Sequence, residues 1–134
     1  MPVTPMQRAL KDCKRMGLLV DVVERWLPYT KRRKDCLGFG DVLAVEPRVV
    51  GALLIQVTSD NGGNVAARVH KIRDACAEAA QIWLDAGNRI EVWGYAKRGP
   101  AGKAKRWRLR RIEVSFIDGE VATREIAATA TGAD

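Results

Sequence analysis

The chain has 134 residues, 47% of them hydrophobic, and carries 23 Lys and Arg against 16 Asp and Glu, for a formal net charge of +7. That length supports one domain with a real core and excludes two ordinary ones. No run reaches the ~18 apolar residues of a membrane span, no signal-peptide core opens the chain, and three scattered cysteines with one histidine argue against a zinc site or a disulfide framework.

A cytoplasmic protein with no membrane partner is therefore expected, and the basic excess points to a polyanion. Thr4-Pro5-Met6-Gln7 reads as a helix start, with Thr4 as N-cap, Pro5 at the first helical position and Gln7 closing a capping box. Met6, Leu10, Cys13 and Met16 follow at helical spacing, and Gly17 ends the helix. Residues 18–26 read as a strand closed by Pro28, with a basic loop after it, Lys31-Arg32-Arg33-Lys34. Two β-branched runs, 38–45 and 51–59, joined through Glu46-Pro47-Arg48, form an antiparallel hairpin. Val65, Val69, Ile72, Cys76, Ala79 or Ala80, and Trp83 mark the buried stripe of one second helix ending at Gly87. Cys13 and Cys76 lie on these stripes and are expected to be buried. Residues 89–95 and 107–116 read as the fourth and fifth strands, with the turn at 99–102 between them.

The predicted order is α-β-β-β-α-β-β, an α/β fold with one mixed sheet in a single domain over residues 1–118. The helix crossover places the fourth strand parallel to its neighbour. Residues 119–134, turning to Ala, Thr and Gly, are expected to be a flexible tail.

The polar residues of the hairpin are out of keeping with its apolar strands. With the turn centred near Arg48, Asp41 falls opposite Ile55 or Gln56, and Gln56 and Thr58 share a strand face. A carboxylate, an amide and a hydroxyl thus gather at one end of two strands. Gln56, if buried, requires a partner.

This order, with an Asp opening the second strand and a polar-x-polar pair on the third, resembles the PD-(D/E)XK nuclease superfamily and its restriction-endonuclease-like fold. More narrowly, it resembles the small Holliday-junction resolvases of archaea and phages. The resemblance covers Thr4 to Phe116. It implies a Mg²⁺ or Mn²⁺ ion held by Asp41, by Gln56 in place of the usual Glu, and by the backbone carbonyl of Val57. Thr58 stands where the family has its catalytic Lys. Gln56 still offers a hard oxygen but one negative charge fewer, so a further acid is needed, with Asp35 and Glu24 the nearby choices. Thr58 offers no cation to charge building on a phosphate. A Lys moved to the following helix, Lys71, or Lys34 would supply it.

Two basic blocks complete the reading. Lys31, Arg32, Arg33 and Lys34 form one; Arg106, Arg108 and Arg110, alternating on the fifth strand, form the other. Such a row follows a phosphate backbone without reading bases. Trp107, Leu109 and Ile112 are expected to bury the opposite face, and His70 to be exposed. The leading expectation is a metal-dependent DNA endonuclease acting as a homodimer on branched DNA. The alternatives are a nuclease-fold DNA-binding protein that has lost catalysis, and an RNA-processing module on a related sheet.

Overall fold

The computed structural model describes residues 2–127, which form three helices and eight strands. The first helix, α1 (Pro5–Arg15), starts as its sequence dictates. Thr4 Oγ1 accepts from the Gln7 N–H at 3.1 Å and Gln7 Oε1 accepts from the Thr4 N–H at 2.9 Å. It ends in a Schellman arrangement at Gly17, whose φ is +80°. There the Leu18 N–H reaches the Cys13 carbonyl and the Gly17 N–H the Lys14 carbonyl.

The strands β1 (Leu19–Val22), β2 (Arg25–Leu27), β3 (Arg32–Lys34), β4 (Val42–Val45) and β5 (Leu53–Ser59) precede two helices, α2 (Asn64–Ala75) and α3 (Ala77–Asp85). The strands β6 (Arg89–Arg98), β7 (Arg106–Ile117) and β8 (Glu120–Ile126) close the described chain. One six-stranded sheet runs β1-β4-β5-β6-β7-β8, in which only β5 and β6 are parallel. β2 and β3 form a separate two-stranded ribbon.

The α-β-β-β-α-β-β order is thus corrected. The predicted first strand breaks after Val22 because the Val23 and Glu24 N–H groups both turn back to the Asp41 carbonyl, at 2.9 and 3.4 Å. Beyond that break the chain forms the ribbon, in place of a continuing strand and a basic loop. The predicted second helix is two: Cys76, at φ −125°, leaves helical geometry, and its thiol lies 3.6 Å from the Gly38 carbonyl. Residues 120–126 belong to the sheet rather than to a tail. Asp118 and Gly119, at φ 53° and 80°, make a two-residue turn of the primed kind that pairs β7 with β8. The rest of the predicted tail, residues 128–134, lies outside the described residues.

The sheet is covered on both faces. On one, α2 and α3 bury Val65, Val69, Ile72, Cys76 and Ala80 against Leu54, Ile90, Val92, Ile112 and Val114, with Phe39 among them. On the other, α1 sets Ala9 and Cys13 against Val42, Ile55, Trp93 and Tyr95. Ile112 therefore packs under α2 and α3, on the face of the arginine row, because its position has the same parity as Arg110. Trp107 is not buried either. It is exposed, with the Arg8 guanidinium 3.8 Å from its ring centroid. Among the described residues no helix is long and apolar enough to cross a membrane.

Candidate functional site

The loop leading into β4 is shaped by close packing. Cys36 and Gly40 bridge, Leu37 and Gly38 take positive φ, and Phe39 is fully buried. A Cβ on Gly40 would strike the Leu54 side chain, so only glycine lets the loop lie this close to β5. This sets Asp41 at the mouth of β4, on the α2 side of the sheet. The register Val42↔Ile55, carried back one residue, puts Asp41 opposite Gln56.

Asp41 is 4% exposed and Gln56 3%. Gln56 Nε2 donates to Asp41 Oδ2 at 2.7 Å, and the Val57 N–H donates to the same oxygen at 2.8 Å. The carboxylate thus takes the place of a ladder partner where β4 stops. The Val57 carbonyl lies on the same strand edge as its N–H and opens to the same side. Gln56 Oε1 is buried with no hydrogen-bond partner. An orphaned amide oxygen at such a place is a cost that a hard cation would remove.

Two further acids converge here. Ligand oxygens of Glu24, Asp35 and Asp41 all lie within 4.8 Å of one another. Like charges at that separation repel by about 3 kcal/mol per pair at an effective dielectric constant near 20. Each acid has its own compensation. Arg33 Nη1 pairs with Glu24 Oε1 at 2.9 Å and Lys71 Nζ pairs with Asp35 Oδ2 at 3.1 Å. Asp41 has no cationic partner among the described residues. Its carboxyl is pushed up from 3.8 to about 7 by burial, by its hydrogen bond to Asp35 and by the charges of Asp35 and Glu24, against the opposing Val57 N–H. Below about pH 7 a proton on Asp41 stands where the other two acids have a cation.

The structure brings Glu24, Asp35, Asp41, Gln56, Val57 and Lys71 together. Of the two lysines that could substitute for the one absent at Thr58, Lys71 reaches the cluster; Lys34 lies exposed on β3. Thr58 is buried beside Gly94 on β6 and brings no charge. Three carboxylates, an amide oxygen and a backbone carbonyl are hard oxygen donors, which would suit Mg²⁺, Mn²⁺ or Ca²⁺ better than a softer metal. His70 is exposed on α2.

Of the basic groups, Lys31, Arg32, Arg33 and Lys34 are exposed along the ribbon, and Arg106 and Arg108 are exposed on β7. Arg110 is not a free member of its row. It donates to Asp60 at 3.0 Å, and Arg98 joins the same carboxylate at 2.5 Å. Burial raises the Asp60 carboxyl, but these arginines outweigh it and hold it below its ordinary value. A second buried charge is one the sequence reading misses altogether. Glu91, 1% exposed, takes a two-pronged pair from Arg111 at 2.8 and 3.1 Å and the Trp93 indole N–H at 2.7 Å. Its signal is a Glu alternating with apolar residues on a central strand opposite a run of arginines. A cavity lined by Met16, Leu18, Ala44, Arg89 and Arg111 lies at the Leu53 end of β5 and shares no residue with the acidic cluster.

Comparison with protein-family models, curated proteins and solved structures matched the chain to none of them.

Proposed function

We propose that the chain is a Mg²⁺- or Mn²⁺-dependent DNA endonuclease, selective for branched DNA, of the PD-(D/E)XK kind. The observation that carries this reading is the mutual approach of Glu24, Asp35 and Asp41, with the Gln56 amide on Asp41 and Lys71 reaching in from α2. Buried like charges are destabilising unless something binds between them. A cation held there would supply Lewis-acid stabilisation of the phosphate and lower the pKa of an attacking water.

The chain's own residues set the rest. Asp41 gives up its proton before it can serve as a full ligand, so affinity for the ion rises with pH up to about 7. Gln56 fixes the Asp41 rotamer through Nε2 and keeps its oxygen available. Lys71 stands at the cluster's edge, where its ammonium can meet charge building on the phosphate as the 3′ oxygen leaves. Arg106 and Arg108 lie exposed on the same face of the sheet and would follow a flanking backbone. A resolvase presents two sites to two strands as a symmetric dimer. Leu19 and Val22 on the β1 edge, with Val49 and Val50 at the β4–β5 turn, are exposed apolar surface suited to that contact.

The test is incubation with labelled four-way junction, flap, duplex and single-stranded DNA, with Mg²⁺ or Mn²⁺, beside Asp41→Ala. Paired nicks in the junction that vanish in the variant are expected. Binding without cutting in either metal overturns the enzyme reading in favour of a DNA-binding protein on a nuclease-like scaffold, which the neutral Thr58 favours. Cutting of structured RNA in preference to DNA favours the RNA-processing alternative.

A further inference from the structure

The ribbon is spliced between two of the three acids. Glu24 immediately precedes β2 and Asp35 immediately follows β3. The pairing Arg25↔Lys34, Trp26↔Arg33, Leu27↔Arg32, carried outward by one step, sets Glu24 opposite Asp35. Alternation then places Glu24, Trp26, Arg33 and Asp35 on one ribbon face, with Tyr29 in the turn beyond.

The composition of this ribbon is unusual for a solvent-exposed element. Between residues 25 and 34 there are five cations and no acid. Trp26 is 56% exposed and Tyr29 is fully exposed. Among the described residues, the ribbon pairs with no other strand. Two bare aromatic rings on a cationic finger match a polyanion that offers ring faces as well as phosphates. Continuous duplex hides its base faces by stacking; single strands and branch points expose them. Of the ribbon cations, Arg33 is held by an acid, and that acid is Glu24. The Arg33 side chain is mostly exposed while Glu24 is largely covered, so the arginine end is the one that can move to a phosphate.

From this we infer that the β2–β3 ribbon is an arm that recognises unstacked bases at a DNA branch through Tyr29 and Trp26, and that transfer of Arg33 to a phosphate uncovers Glu24 for the cation site. The arm's ligand is nucleic acid with exposed bases; the release of Glu24 rests on the metal site proposed above. The second half links substrate shape to assembly of the site. Duplex, with no base for Tyr29 or Trp26, leaves Arg33 on Glu24.

Two measurements separate the arm from the nuclease. First, the full chain in EDTA is titrated with a four-way junction carrying 2-aminopurine at the branch, and with duplex of the same sequence. Unmodified protein is expected to change the 2-aminopurine emission. Tyr29→Ala and Trp26→Ala are each expected to weaken junction binding about tenfold and duplex binding little, as loss of a stacked base does. Unchanged junction preference in both variants, or no binding of either DNA by unmodified protein, overturns the arm. Second, Mn²⁺ affinity is measured by electron paramagnetic resonance with and without a junction bearing non-hydrolysable linkages. Unmodified protein is expected to bind Mn²⁺ more tightly when the junction is present. Arg33→Gln is expected to bind it tightly from the start, with little further gain. Equal Mn²⁺ affinity in all four cases overturns the release of Glu24. Junction recognition through the ribbon without cleavage would leave the arm standing and remove the nuclease; cleavage with ribbon variants unaffected would do the reverse.

Discussion

Replacing Asp41 by Asn should make the protein more stable and stop it holding a cation. The Asp41 carboxyl is raised from 3.8 to about 7 in the fold. A carboxyl raised on folding contributes fully below its unfolded pKa, and that contribution is lost as pH rises through the folded pKa. Above pH 7 the fold must carry an ionised Asp41 against burial and two neighbouring carboxylates, which at 1.36 kcal/mol per unit corresponds to about 2–4 kcal/mol. Asparagine keeps an acceptor for the Val57 N–H and for Gln56 Nε2, and its own amide can donate toward Asp35 as the proton does. In EDTA, urea unfolding should therefore find Asp41→Asn more stable than the unmodified protein by about 2–4 kcal/mol at pH 8. At pH 4.5, just above the unfolded value, the difference should shrink to about 1 kcal/mol or less. Millimolar Mg²⁺ should reverse part of the order at pH 8, adding about 1.4 kcal/mol to the unmodified protein at ten times the dissociation constant and nothing to the variant. Equal stabilities at pH 8 in EDTA, or an equal difference at both pH values, would refute the reasoning.

Three other substitutions probe the surrounding structure. Gln56→Glu puts a fourth carboxylate on the cluster, so calorimetry should show tighter Mg²⁺ binding while metal-free stability at pH 8 falls by about 1–3 kcal/mol. Arg111→Met strands the buried Glu91 carboxylate, and urea unfolding should register a loss of about 3–5 kcal/mol, largely recovered in the double variant Glu91→Gln, Arg111→Met. Gly40→Ala drives a Cβ into Leu54, so it should cost about 1–3 kcal/mol and weaken Mg²⁺ binding by shifting Asp41 next door.

How much of the molecule is legible in the sequence depends on the range of the forces involved. The first helix, its capping box and the Gln56–Asp41 juxtaposition rest on local chemistry and on the period of a hairpin, and the structure has them all. The parallel β5–β6 pair comes from a helical crossover of sufficient length. The features the sequence hides depend on partners far away. The break between β1 and β2 is made by the Asp41 carbonyl, the split at Cys76 lies beside Gly38, and the exposure of Trp107 reflects where α1 ends its cover. The β8 strand is a different case. Asp118-Gly119 is a strong hairpin signal, masked by the Ala- and Thr-rich composition beyond it. The ribbon reads as a basic loop because its strands are three residues each and carry charge where a sheet strand would carry apolar residues.

The charge arrangement of the cluster argues that it is built for use rather than for stability. A fold seeking only stability would place an apolar residue at 41 and let β4 run one residue further, since Gly40 and Asp41 already lie beside β5. Instead three acids share one small space, and each is compensated by something removable. The Glu24 partner is a mostly exposed arginine on a ribbon outside the main sheet, the Asp35 partner is a lysine on a neighbouring helix, and the Asp41 partner is a proton lost near neutral pH. A structural ion pair is usually satisfied by a buried, two-pronged partner, as Glu91 is by Arg111. The contrast between these two acidic sites in one sheet is physical. Glu91 is held for good, whereas the partners of Glu24, Asp35 and Asp41 are ones that the doubly charged ion of the proposed site would replace.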